Sequence, residues 1–230
     1  MTADAVSGSE TPEASRPPDA LDYLAIEGAI GAGTTTLAQM LADRWTTDLV
    51  LEQFEDNPFL ERFYQDRTRW AFQTQLAFLA SRFRKQKELA ERDLFHDLVV
   101  SDYTFDKDRI FARQTLSGDE KQLYESLFRL MEPTVPTPDL VVYLQSSPDR
   151  LMANIAERDR PYERDMDPDY IASLHAAYNQ YFRQYDRTPL LVVNASEIDF
   201  VDNPDDFQAL ARQIRTPHAS GTRRVHLQPN

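Results

Sequence analysis

Tyr23-Leu24-Ala25-Ile26-Glu27-Gly28-Ala29-Ile30-Gly31-Ala32-Gly33-Thr34-Thr35-Thr36-Leu37 passes from an apolar run of strand type through a glycine-rich turn into a periodic helix. The pattern G-x-x-x-x-G-K-[ST] is met at Gly28, Gly33 and Thr35, whereas its lysine position holds Thr34. Glycines let successive backbone N–H groups turn inward on a polyphosphate, and the helix that follows adds its partial positive charge. Residues Gly28, Ala29, Ile30, Gly31, Ala32, Gly33, Thr34, Thr35 and Thr36 are therefore the expected phosphate cradle, with the Thr35 hydroxyl placed to meet magnesium. An ordinary flexible strand-to-helix turn is the competing reading. Against it stand the absence of proline and the direct opening into a helix over Thr35 to Trp45.

At 230 residues, 41% hydrophobic and 27% charged, the chain has the composition of one globular domain. It holds no apolar run of the roughly 18 residues that a membrane helix needs. Neither a signal core nor a basic presequence is visible at the N-terminus, so a soluble, cytoplasmic protein is expected. Zero cysteines exclude disulfides and thiolate metal sites, and the four histidines, His96, His175, His218 and His226, are too scattered for a metal cluster. A net charge of −13 repels nucleic-acid backbones. Positive partners for a phosphate ligand must then be local, as in Arg158-Asp159-Arg160.

Residues 1–20 and those from Thr216 to 230 read as disordered tails flanking a domain over 21–215, because they hold too few large apolar residues to offset their ordering entropy. Between them strand-like and helix-like segments alternate, which predicts an α/β fold with a five-stranded parallel sheet. Its strands fall near 22–27, 48–54, 97–102, 139–144 and 190–194. Ligands in such sheets bind beyond the carboxyl ends of the strands, which puts Glu52 and Asp102 where chemistry would be, although a lone glutamate at a strand end reads equally as a solvated edge residue. Asp102 reads equally as a magnesium-positioning acid and as a helix N-cap. A helix from Trp70 to about Arg92 carries Phe72, Leu76, Leu79 and Phe83 as a core stripe, and Gln75 and Arg82 beside it are able to read the edge of a planar heterocycle, although spacing alone favours ordinary polar flanks. Ser147-Pro148 starts a helix leading into the charged, proline-broken stretch Glu157 to Pro161, where a lid over phosphate is expected.

The order of these pieces resembles the deoxynucleoside kinase family, in particular its bacterial deoxyguanosine and deoxyadenosine kinase branch, over about residues 22–202. The resemblance rests on Ile26 to Gly33, Glu52 with Asn57-Pro58-Phe59-Leu60, Trp70 to Gln75, Ser81-Arg82, Ser101-Asp102-Tyr103, Arg158 to Glu163, and Glu197 to Phe200. It implies a P-loop kinase in which Glu52 is the general base for the sugar 5′-hydroxyl, and Arg158 and Arg160 are lid arginines on the transferred phosphoryl group. It further implies that Tyr64 and Glu163 hold the 3′-hydroxyl, Gln75 and Arg82 read the base, Phe111 stacks on it, and the adenine of ATP packs at Asp199-Phe200. Magnesium is implied at Thr35 and Asp102, and a homodimer through the long helices. Three departures stand out: Thr34, Asp159 where the family usually has glycine, and Ser101-Asp102-Tyr103 in place of Glu-Arg-Ser. The last leaves open whether Asp106 or Lys107 faces the base.

The expected activity is ATP-dependent phosphorylation of a purine deoxynucleoside, lowered by Thr34. Restoring lysine at that position is expected to gain about tenfold in turnover. A nucleotide-binding member without turnover and a nucleoside monophosphate kinase are the alternatives.

Overall fold

The chain is described by a computed structural model, covering residues 16–18, 20–91 and 98–225. Strand β1 (Tyr23–Gly28) is buried at every position, as a continuous apolar run in the middle of a parallel sheet must be. The turn after it feeds helix α1 (Thr34–Trp45) and then strand β2 (Asp48–Val50). A 3-10 turn (Phe54–Asp56), helix α2 (Leu60–Gln65) and helix α3 (Arg67–Ala90) lead to strand β3 (Val99–Ser101). Helices α4 (Asp106–Thr115) and α5 (Gly118–Met131), strand β4 (Leu140–Gln145), helices α6 (Pro148–Glu157) and α7 (Pro168–Arg183), strand β5 (Leu190–Asn194), helix α8 (Pro204–Arg215) and strand β6 (Thr222–Val225) complete the order.

The strands lie in the order β2-β3-β1-β4-β5-β6, each pair parallel. Val50 and Ala25 both pair with Ser101, so the loops after β2, β3 and β1 leave the sheet on one edge, side by side. Three helices start on a cap followed by proline. Ser147, Asp167 and Asn203 each accept a backbone N–H of the first turn, ahead of Pro148, Pro168 and Pro204. Such caps stabilise a helix by about 1 kcal/mol, and proline costs nothing at a position whose N–H has no partner.

Two hydrophobic cores result. The larger surrounds β1, β4 and β5, and the smaller gathers Phe63, Leu79, Phe105, Tyr124 and Phe128 where α2 to α5 meet. Among the described residues no helix is long and apolar enough to cross a membrane.

The sheet has six strands rather than the expected five. Residues 222–225, expected to be disordered with the rest of 216–230, pair with β5 from Leu190↔Thr222 to Val193↔Val225. Exposed Thr222, Arg223 and Arg224 give this edge strand no apolar signature. Strand β2 ends at Val50, before Glu52, instead of running to 54. Of the expected α3 stripe only Leu79 is fully buried. Phe72, Leu76 and Phe83 are partly buried against the smaller core, while Gln75, Arg82 and Gln86 occupy the buried face. Most of the expected N-terminal tail, and the placements at Arg92 and Asp97, lie outside the described residues.

Candidate active site

The glycine turn after β1 has the backbone that its sequence demands. Gly31 and Gly33 both sit at φ 86°, the left-handed region. A Cβ at Gly31 would come within 2.6 Å of the Leu151 carbonyl oxygen, and one at Gly33 within 2.9 Å of the Phe200 ring. The turn is thus wedged between α6 and the loop after β5, and Asn154 Nδ2 donates to the Gly31 carbonyl at 2.7 Å. Its backbone amides border a cavity of about 670 Å³, a size suited to small-molecule ligands. All nine residues from Gly28 to Thr36 line it.

Glu52 lines the same cavity. Arg82 donates from both Nε (2.9 Å) and a terminal nitrogen to Glu52 Oε1, and Lys107 Nζ stands 2.8 Å from Oε2. The two cations outweigh burial and hold the Glu52 carboxyl down to about 2. Asp108, fully buried behind Arg82, is pushed up to about 7 by desolvation despite its ion pair with that guanidinium. Asp102 ties the strand ends together. Its Oδ1 accepts the Glu52 backbone N–H at 2.8 Å, and its Oδ2 accepts the Thr35 hydroxyl at 2.6 Å. A hydroxyl and a carboxylate in contact at the end of the turn form an oxygen pair of the kind magnesium takes when phosphate and water supply its other ligands. No cluster of three or more acidic, histidine or cysteine side chains able to hold a metal occurs among the described residues.

The cavity also brings together Tyr64, Gln75, Phe111, Glu163, Asp199 and Phe200. Gln75 is buried, and its Oε1 has no partner among the described residues. Tyr64 stacks on Tyr162 at 5.9 Å, and Phe111 meets Tyr178 edge-on at 6.1 Å. Phe200 is buried against Gly33.

Arg158 chelates Glu163 through two bonds of 2.6 and 2.7 Å, while Arg160 lies over the Phe54 ring at 3.9 Å. Between them Asp159 has φ 46°, a conformation that glycine enters freely and aspartate tolerates better than most residues.

Of the pair left open by the sequence, Lys107 faces the cavity. Asp106 points away, into a contact with Arg187 at 3.0 Å. Two residues were missed outright. Glu27, wholly buried, accepts the Thr104 N–H and hydroxyl at 2.7 and 2.9 Å and the Gly28 N–H at 3.2 Å, so it braces the root of the glycine turn. Burial pushes its carboxyl up to about 7. A lone charge within an apolar strand was its signal. Asn154 gave none, since a polar residue on an exposed helix is ordinary.

A glycine turn opening a helix, an oxygen pair beside it, two arginines and a carboxylate on one cavity define a P-loop phosphotransferase. The family profile for deoxynucleoside kinase matches residues 24–218, and the chain belongs to that family. It is 32% identical over 198 residues to a deoxyguanosine kinase of Bacillus subtilis (strain 168), covering 84% of this chain and 96% of that protein. A deoxyadenosine/deoxycytidine kinase of the same organism is 29% identical, covering 83% and 90%. Among solved structures, a deoxyadenosine kinase from M. mycoides with bound dATP superimposes with a TM-score of 0.74 at 22% identity, over 84% of this chain and all of that one.

Proposed function

We propose that the chain transfers the γ-phosphoryl group of ATP to the 5′-hydroxyl of a purine deoxynucleoside. The observation that carries this reading is Glu52, a carboxylate kept ionised by two cations on the cavity that the glycine turn lines. Such a group accepts a proton from a hydroxyl, and a neutral acceptor suits a place whose cations are already neutralised. An acceptor phosphate, as in a monophosphate kinase, would need spare positive charge there. The unpartnered Gln75 Oε1 is placed to accept from a purine amine or imide N–H, and Phe111 to stack on the base. Tyr64 and Glu163 would take the 3′-hydroxyl, which favours a deoxyribose.

The backbone amides of the turn, with Arg158 and Arg160 once released from their present partners, would hold the triphosphate, and Asp199-Phe200 would border the adenine. Magnesium would be held by Thr35 and Asp102, where it would screen the phosphate charge. A homodimer is part of the same reading. Leu123 and Leu130, 51% and 76% exposed and two turns apart on α5, form an apolar stripe suited to a second copy.

The test is phosphate transfer from ATP over the four deoxynucleosides and their monophosphates. Turnover of deoxyguanosine or deoxyadenosine and none of the monophosphates is expected; the reverse sinks the reading. Thr34 supports a second reading, a nucleotide-binding member without turnover, which would bind ATP and a nucleoside yet fail the whole panel.

A further inference from the structure

We propose that Lys107 is a catalytic residue whose ammonium, resting on Glu52 before reaction, supplies beside the transferred phosphoryl group the positive charge that the glycine turn lacks at Thr34. The inference rests on the phosphotransfer reading and names the cation which that reading leaves unassigned. Its basis is the saturation of Glu52. Oε1 already accepts twice from Arg82, and Oε2 accepts once, from Lys107. A carboxylate oxygen has two lone-pair sites, so the acceptor hydroxyl must take the free one on Oε2, beside Lys107. Two donors on one such oxygen lie about 5 Å apart, and the γ-phosphorus is one bond beyond the hydroxyl oxygen. Lys107 therefore borders the reacting atoms from the acceptor side.

The chemistry makes that position useful. The 5′-hydroxyl proton passes to Glu52 Oε2 as the 5′-oxygen bonds to the γ-phosphorus. The bond from that phosphorus to the β,γ-bridging oxygen breaks, and ADP leaves with its electrons. Glu52 is then neutral, so Lys107 loses its ion-pair partner, with Glu27 and Asp102 the carboxylates left near it, while negative charge collects on the phosphoryl oxygens. A cation that changes partner in this way is bound more strongly in the transition state than before it.

Other cations on the cavity are less available. Arg82 is clamped between Glu52 and Asp108, Arg158 holds Glu163, and Arg160 lies on Phe54. Arg150 also lines the cavity and has no carboxylate partner among the described residues, which makes it the rival. Lys107 is 8% exposed, and its compact ammonium on a flexible stem is able to turn from carboxylate to phosphate.

The test is a double-mutant cycle of Lys107→Met with Thr34→Lys, read as kcat with ATP and the best deoxynucleoside. Lys107→Met should cost about 10²-fold or more in the parent, but less than about tenfold in the Thr34→Lys background, where the turn carries its own charge. Equal factors in both backgrounds overturn the proposal, as does the same coupling shown by Arg150→Ala instead. Lys107→Gln is run in parallel, with Tm and nucleoside affinity reporting whether each variant is folded. Should neither fold, Thr34→Lys alone decides: a gain of about tenfold or more means that nothing had replaced the missing lysine and overturns the proposal, while a smaller gain supports it. A parent that is inactive until Thr34→Lys restores turnover upholds the phosphotransfer reading and overturns the role of Lys107. Inactivity of all variants on every deoxynucleoside removes both.

Discussion

The cluster around Glu52 and the segment from Arg158 to Arg164 both pair basic side chains with carboxylates, but the first does so wholly in the interior and the second partly in water. Arg82, Lys107, Glu52 and Asp108 form a nearly dry cluster in which Glu52 is driven down to about 2 and Asp108 up to about 7. Beyond α6, Arg164 and Asp159 pair at 2.8 Å with both side chains more than 60% exposed, while the Arg158 side chain, 30% exposed, pairs with Glu163, which is 4% exposed. Exposed pairs are worth little, whereas breaking a buried one leaves an uncompensated charge. The same residue types thus give a Glu52 held by two nearly buried cations in one place and, in the other, an exposed pair beside an arginine whose carboxylate partner is itself buried.

Glu52→Gln attacks the fixed half directly and carries the largest expected effect. The amide keeps the shape but accepts no proton, so turnover should fall by about 10² to 10⁴ while nucleoside binding persists. A variant that keeps most of the parent's turnover would show that the cluster orders the cavity without serving as its base.

Much of this half was legible in the sequence, because its landmarks are local. The glycine spacing marks the turn, and a strand end places Glu52. What was not legible depends on register and distance. Asp106 and Lys107 are adjacent at the start of α4, and the helix turn sends one to Arg187 and the other to Glu52. Periodicity chose Phe72, Leu76 and Phe83 as the buried face of α3, whereas the face that lines the cavity buries Gln75 and Arg82. Arg82 is held there by Glu52 and Asp108, and Gln86 by the Tyr23 hydroxyl, and a pattern of hydrophobicity carries no sign of such partners. Strand β6 is polar throughout its exposed part and owes its place to pairing with β5.

Buried carboxylates sharpen the comparison through pH. The folded pKa of Glu27 lies near 7, above its ordinary 4.5. The folded state therefore holds this proton more tightly than the unfolded chain, and the resulting stability, complete below about 4.5, is lost as pH rises through 7. A shift of this size is worth on the order of 3 kcal/mol. Glu27→Gln, which cannot titrate, should make Tm fall less steeply between about pH 4.5 and 7 than it does in the parent, whatever its absolute stability. Identical slopes would mean that Glu27 is no drier than the exposed Asp159.

The smallest effect belongs to Asp159→Gly. At φ 46° glycine removes a backbone cost that aspartate bears, but it also loosens the unfolded chain and gives up the bond to Arg164. The first gain and the second loss are similar in size, and the lost pair is fully exposed and screened by salt. Tm should therefore move by less than about 2 °C, which for a chain of this length is below the shift expected from a single buried contact. Turnover should stay within about threefold, because Arg158 and Arg160 on either side keep their charges and only the turn between them changes. A change of more than about tenfold in kcat, with KM for ATP unaltered, would break the contrast between the two halves. It would mean that the aspartate holds the lid at a set distance from the phosphoryl group, and that this exposed segment is as preorganised as the buried one.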